Sequence, residues 1–432
     1  ALRDDESRLS LRVEEHVDLD RRQLYRLPWS AVDNVNGWIE PTSRCNLRCR
    51  ACYRRDQGQT LPFEEVRGLV DRTIELRNCD LLSIAGGEPL LVDYLEDLIR
   101  YIRSRGVHVM VLTNGMGLDD SRLASLAAAG LDRLNIHVDS GQGRPGWEDR
   151  NEAELLALRD ELLERVTAHG IECGFITTLY EASHRHLPAM LSWAVSRAGR
   201  LASLTFDLFR YYPDPRDVER CLTPTGESVD PAEVGRLAVI SHERRYTARE
   251  VWKQVDEALG GIAPHSYLNG THKQDEVKWL LATVVVQRGE ILGWIGPRAA
   301  ELATVGSHLL QGRYPSFVGG SPSRLVFAGG LVDRPLRQAL GRYLWRAMKA
   351  PSRLLQGVDL LSLAVIQPTD WYTDGLQNMC DSCPDAIIHG DVLVPSCRLD
   401  EYRQYGGPVQ AVFRPEIPRH HESLQPPAPQ DG

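Results

Sequence analysis

Between residues 37 and 208 six short apolar runs are separated by five longer amphipathic stretches, and few folds accept that rhythm. The apolar runs at 38–40, 81–84, 107–112, 133–138, 171–179 and 203–208 have strand length and strand composition. The stretches at 62–76, 91–103, 120–129, 152–169 and 187–198 carry the spacing of helices that bury one face. Strands separated by helices must pair in parallel through right-handed crossovers. Six such units curl into an open barrel, two units short of the closed form.

After Phe209 the rhythm stops. Residues 211–230, rich in Pro and Asp, read as a linker. Residues 278–294 read as a β-hairpin around Gln287-Arg288-Gly289-Glu290, and 334–356 as largely helical with a break at Pro351. The expected fold class is therefore α/β: a partial (β/α)6 TIM-type barrel, a mixed α+β insertion and a small C-terminal Cys-rich domain. The expected organisation is a leader (1–36), the barrel (37–210), a mixed addition that is a candidate to enclose substrate (211–370), a Cys-rich region (371–414) and a disordered tail (415–432).

Charge and hydropathy remove several classes of function. A net charge of −9 disfavours general affinity for a nucleic-acid backbone. The most apolar stretches, 280–295 and 354–366, are interrupted by Arg288, Glu290 or Asp359, so no transmembrane segment is expected. With a charged start and no apolar signal region, the expected location is cytoplasmic.

Nine cysteines are present, six of them in two groups: Cys45, Cys49, Cys52 and Cys380, Cys383, Cys397. An odd count with short spacings argues for metal ligation over disulfides. Cys79, Cys173 and Cys221 read as small buried hydrophobes. Three thiolates within eight residues suit one face of a cubane, with the fourth iron left open. A structural zinc would need a fourth ligand, His108 or a distant residue.

The run Cys45-Asn46-Leu47-Arg48-Cys49-Arg50-Ala51-Cys52-Tyr53 resembles the C-x3-C-x2-C signature of the radical S-adenosylmethionine (radical SAM) superfamily. Gly86-Gly87-Glu88-Pro89, at the end of the second expected strand, resembles that family's Gly-Gly-Glu-Pro motif. The resemblance implies a 4Fe–4S cluster on Cys45, Cys49 and Cys52 whose open iron takes SAM, with Gly86, Gly87, Glu88 and Pro89 at its methionine amino group. Asn114, in Thr113-Asn114-Gly115, falls where family members approach SAM. His137 is either a contact to SAM or a hydrogen-bonded lumen residue; strand period places it on one face with Asn135 and Asp139. Ser203, Thr205 and Asp207 alternate in the same way. No catalytic side chain is assigned beyond the cluster.

The second group, Cys380-x-x-Cys383 followed by a hairpin around His389-Gly390-Asp391 and then Cys397, resembles the auxiliary-cluster domains (SPASM, or the shorter twitch) of many radical SAM enzymes. It implies a second iron–sulfur cluster. Its fourth ligand is open among Cys221, His389, Asp381, an upstream residue and the substrate, and zinc competes.

Residues 334–353 hold Arg334, Arg337, Arg342, Arg346, Lys349 and Arg353 and no acid, with Leu336, Leu340, Leu344 and Ala347 as the expected buried stripe. Such a helix is either a solvated face or an anion site. The expected function is reductive cleavage of SAM to a 5′-deoxyadenosyl radical, which abstracts hydrogen from a small-molecule or lipid-like substrate, giving oxidation or carbon–carbon bond formation. An external one-electron donor such as flavodoxin or ferredoxin is implied. The alternatives are a peptide-modifying maturase and a non-enzymatic iron–sulfur or zinc scaffold.

Overall fold

The computed structural model of the chain describes residues 19–414, apart from 55–57, 238, 240, 242, 275, 317–323 and 373. Half of the expected leader and all of the expected tail lie outside the described residues.

After a two-residue strand β1 (Tyr25–Arg26), the six expected units follow in order: β2 (Asn36–Thr42), α1 (Phe63–Leu76), β3 (Leu81–Gly86), α2 (Leu95–Ser104), β4 (His108–Thr113), α3 (Asp120–Ala128), β5 (Arg133–His137), α4 (Leu156–Ala168), β6 (Glu172–Leu179), α5 (Leu187–Ser196) and β7 (Leu201–Leu208). Strands β2 to β7 pair in parallel, each with the next. The helices cover the outer face. Leu95, Leu98, Ile99 and Ile102 make the buried stripe of α2 at helical spacing, and β3, covered on both faces, is buried along Leu81–Ala85.

The chain then makes β8 (Val218–Leu222), β9 (Ser228–Val229), α6 (Pro231–Gly235), α7 (Ala248–Leu259), β10 (Ser266–Asn269), β11 (Val277–Gln287), β12 (Glu290–Trp294), α8 (Pro297–Gln311), α9 (Arg334–Lys349), β13 (Asp359–Ile366), β14 (Asp370–Trp371), β15 (Gln377–Asn378), β16 (Ala386–His389), β17 (Val392–Pro395), α10 (Leu399–Tyr405) and β18 (Gln410–Phe413). The expected hairpin is β11–β12, paired antiparallel.

The expected barrel ends at residue 208, yet the sheet continues. β13 pairs in parallel with β7, Ser362 opposite Ser203 and Ile366 opposite Asp207; β11, β10 and β1 extend the sheet beyond it. The mixed region thus shares the barrel's sheet. The seventh parallel strand was hidden because the chain leaves for 150 residues before returning, which breaks the local βα rhythm.

A satellite core of Val285, Leu292, Ala299, Phe327, Leu336, Ala339 and Tyr343 mounts α8 and α9 on β11 and β12. Asp333 joins the two helices: its carboxylate caps α9 at Leu336 N (3.0 Å) and accepts from Gly296 N (3.1 Å) and Ala299 N (3.3 Å) at the start of α8. The buried face of α9 differs from the expected stripe. Leu336, Ala339, Tyr343 and Ala347 are buried, and Leu344 is 47% exposed. Tyr343 packs against Phe327 with ring centroids 5.2 Å apart, which turns the helix away from Leu344.

Candidate active site

The first cysteine group leaves directly from the end of β2 and is locked to the next strand end by backbone alone. Gly87 N donates to Thr42 O and Glu88 N to Arg44 O, both at 2.8 Å. A Cβ on Gly86 would lie 2.4 Å from Thr42 O, and one on Gly87 only 2.1 Å from Arg44 O. The two glycines are therefore required by the cysteine loop itself, which seats on the Gly-Gly turn; Gly86 also has φ of +109°. The close approach expected of these glycines toward a ligand is made, in this structure, by the chain's own cysteine loop.

Glu88 is buried, and its carboxylate serves the chain. It accepts from Leu90 N (3.0 Å), Thr113 Oγ1 (2.6 Å) and Asn114 N (2.7 Å), while burial raises its pKa. Pro89 opens the short 3-10 turn that Glu88 caps. Asn114 reaches back to the cysteine loop through Asn46 Oδ1 at 2.7 Å. These contacts tie three consecutive strand ends into one ridge. Burial pushes the Cys49 thiol up to about 12, and Asp139, Cys52 and Cys45 add to it. Arg144 opposes them: it is buried, donates to Asn114 O and Gln142 Oε1, and leaves Nε without a hydrogen bond among the described residues. Nothing in the sequence pattern singled it out.

Asn135 and His137 of β5 and Ser203, Thr205 and Asp207 of β7 line the barrel lumen. Asp139 lies behind His137, with Oδ2 2.6 Å from Nε2, and this carboxylate overcomes burial to raise the histidine's pKa. Burial pushes Asp207 up to about 6; His137 pulls it back and Asp139 adds to it. Asn135 Oδ1 and Asp207 Oδ1 are buried and make no hydrogen bond among the described residues, so the lumen holds polar capacity that the chain leaves unused.

The second cysteine group is reached through side chains from distant elements. Cys380 bridges to Gly270 beyond β10, and Trp279 Nε1 donates to its Sγ at 3.3 Å. Asn36 Nδ2 holds Asp385 at 3.2 Å, and Arg77 donates to Cys383 O at 2.7 Å. Arg77 is fully buried, and its Nε and Nη1 make no hydrogen bond among the described residues. A buried cation with spare donors fits an anionic thiolate-bound group at this place. Burial raises the Cys383 pKa, with Cys380, Asp385 and Cys397 adding to it. Of the other candidate fourth ligands, Cys221 is buried in a separate cluster against Tyr212 Oη (2.9 Å), and Asp381 pairs with Arg26. Asp385, overlooked in the sequence, lines the lumen and is pushed up to about 7 by burial and Asp207, against Arg77. His108, offered as a zinc ligand, instead pairs with Asp132 at 3.0 Å. Among the described residues no three His, Cys, Asp or Glu side chains converge on a single-ion position.

Both cysteine groups, Gly86–Glu88, Asn114 and His137 face one cavity of about 1050 Å³, large beside ordinary small-molecule sites. Arg54 joins the groups. Buried two residues after Cys52, it binds Glu40 (2.6 Å from Nε) and Asp400 of α10 (2.6 Å), which follows Cys397 by three residues. Glu40 also accepts from Trp38 Nε1 and Tyr53 Oη.

The radical SAM superfamily model matches residues 39–194. The GTP 3′,8-cyclase of Corynebacterium glutamicum (strain ATCC 13032) is 40% identical over 114 residues, 24% of this chain and 30% of that protein. The GTP 3′,8-cyclase of Mycobacterium marinum is 34% identical over 135 residues, 29% and 35% of the two. The chain thus spans about a third of the length of these curated relatives. Among solved structures, Streptococcus suis SuiB bound to S-adenosylmethionine is 12% identical over 53% of this chain and 48% of that one, with a TM-score of 0.39. anSMEcpe with bound AdoMet and Cp18Cys peptide is 19% identical over 40% and 50%, with a TM-score of 0.32. Likenesses this slight carry no argument. The family match and the ridge built from the cysteine loop, the Gly-Gly-Glu-Pro turn and Asn114 fall on the same stretch: residues 39–194 of this chain match the radical SAM superfamily.

Proposed function

We propose that this protein uses a 5′-deoxyadenosyl radical to abstract hydrogen from a small-molecule or lipid-like substrate held in the lumen, ending in oxidation or carbon–carbon bond formation. One observation carries the reading: two cysteine groups and the Gly-Gly-Glu-Pro turn open onto a single large cavity. When bound, a 4Fe–4S cluster on Cys45, Cys49 and Cys52 supplies the electron that cleaves SAM. Gly86, Gly87, Glu88, Pro89 and Asn114 would form the wall against which SAM is oriented, and His137, fixed by Asp139, would meet its far end. Arg144 sets a buried cation beside Cys49 and offsets negative charge there. Asn135 and Asp207 offer their unused oxygens to the substrate. Cys380, Cys383 and Cys397 would hold a second, auxiliary cluster able to receive an electron; the spare donors of Arg77 support an anionic group there. The GTP 3′,8-cyclase likeness, over 24% of this chain, supports radical generation and leaves the substrate open.

The test is anaerobic reconstitution with iron and sulfide, then SAM and dithionite. 5′-Deoxyadenosine should form with the wild type and not with Cys45→Ala; equal rates would overturn the assignment. The Cys380→Ala/Cys383→Ala double variant should lose about half of the iron and sulfide; zinc in the wild type would remove the auxiliary cluster.

A further inference from the structure

Twelve of the fifteen exposed large hydrophobic side chains among the described residues lie between 302 and 355, so the apolar surface is concentrated on one part of the chain. On α8, Leu302, Val305 and Leu309 follow one helical stripe, and Leu310 beside them is 89% exposed. On α9 the outward face carries Leu344, Trp345 and Met348 (75% exposed), and the 3-10 segment Pro351–Leu355 adds Leu354 and Leu355. The segment Arg324–Leu331 adds Leu325 and Leu331. The satellite core and the Asp333 tie mount these pieces together.

Charge separates this face from a generic sticky patch. In a chain of net charge −9, residues 334–353 hold six cations and no acid. Arg334, Arg337, Arg342 and Lys349 are exposed, and Lys349 Nζ sits 3.5 Å over the Trp345 ring. Arg346 and Arg353 reach Glu290, and Glu301 on α8 is the acid nearest the apolar stripe in sequence. Exposed apolar side chains interleaved with cations match an anionic lipid interface, where the rings and chains enter the acyl boundary and the cations stay with the headgroups. The face is also continuous with the lumen: Leu302 (57% exposed) and Leu325 (78%) line the same cavity as the cysteines, alongside Ala303 and Val326.

We propose that the face made by α8, α9 and the segments 324–331 and 351–355 seats on an anionic lipid bilayer, and that a substrate with a long hydrocarbon chain enters the cavity between α8 and segment 324–331. The docking stands without the radical chemistry; the identity of the substrate rests on the function proposed above.

Flotation of the reconstituted holoenzyme with phosphatidylglycerol–phosphatidylcholine vesicles tests it, against pure phosphatidylcholine and in high salt. Wild type should float with the anionic vesicles, and at least tenfold less with neutral ones or in high salt. The Leu309→Ser/Leu310→Ser/Trp345→Ser/Met348→Ser variant should lose at least tenfold. Arg334→Ser/Lys349→Ser, which leaves the apolar face intact, should lose a smaller share and its salt dependence. Substrate-free formation of 5′-deoxyadenosine should be unchanged in both, which separates failure of docking from failure of the radical assignment. No flotation by wild type, or equal flotation by the four-site variant, overturns the proposal. So does a wild-type dimer that becomes monomeric in the four-site variant without vesicle binding, which would make the face a contact between copies.

Discussion

The two cysteine groups share one cavity and are built in opposite ways. Cys45, Cys49 and Cys52 sit on a loop seated by backbone hydrogen bonds on the adjacent strand end, with Asn114, Gly141 and Asp400 adding ties from farther along the chain. Cys380, Cys383 and Cys397 are placed by Asn36, Arg77, Trp279 and Gly270, from elements more than a hundred residues away. Each group also has a buried arginine, Arg144 beside the first and Arg77 beside the second. The first is a local motif that tolerates no added atom. The second is a junction whose precision depends on the whole fold.

The sharpest way to break that comparison is Gly87→Ala. Its methyl would lie 2.1 Å from Arg44 O, and backbone cannot give way as a side chain can. We expect at least a hundredfold loss of 5′-deoxyadenosine formation, of the order of 3 kcal/mol, with the C-terminal iron retained; retained cleavage would show that the lock is dispensable. Of comparable size is Arg54→Met, which strands Glu40 and Asp400 and should cost about 3–5 kcal/mol in denaturant unfolding. Asp207→Asn is smaller and depends on pH. Between its ordinary 3.8 and about 6 the folded protein keeps the Asp207 proton that the unfolded chain releases, so stability falls as pH rises and the cost is complete above 6. The variant should be more stable than wild type above pH 6, by at most about 3 kcal/mol, and indistinguishable below about pH 4; a gain that grows towards acid would refute the burial of that carboxyl. The smallest effect is expected from Arg77→Met. Losing the bond to Cys383 O should cost about 1–3 kcal/mol, yet iron should fall at the second group and not at the first. Equal loss at both would erase the distinction.

This contrast also explains what the sequence could disclose. The six βα units were legible because each buries its own stripe, such as Leu95, Leu98, Ile99 and Ile102, at the period of its own element. The cysteine loop and the Gly-Gly turn were legible because they are short and contiguous, although the steric partner of the glycines was visible only in three dimensions. β13 was missed because its partner β7 lies some 150 residues back. Arg54, Arg77 and Arg144 were missed because no periodicity announces a buried charge, and Asp385 because only distant partners mark it out. Leu344 failed for a subtler reason. Two apolar stripes one residue apart suit the same helix, and Phe327 decides between them by taking Tyr343.

The tie between Arg54 and Asp400 has a consequence for how the protein is made. The loop of the N-terminal cysteines ends on a buried cation whose second anion lies in α10, nearly 350 residues later. While the chain emerges from the ribosome, the barrel units are able to fold in order, but Arg54 has only Glu40 of these two anions as partner until the last hairpin and α10 arrive. The cysteine loop, translated early, is therefore among the last parts of the fold to be completed.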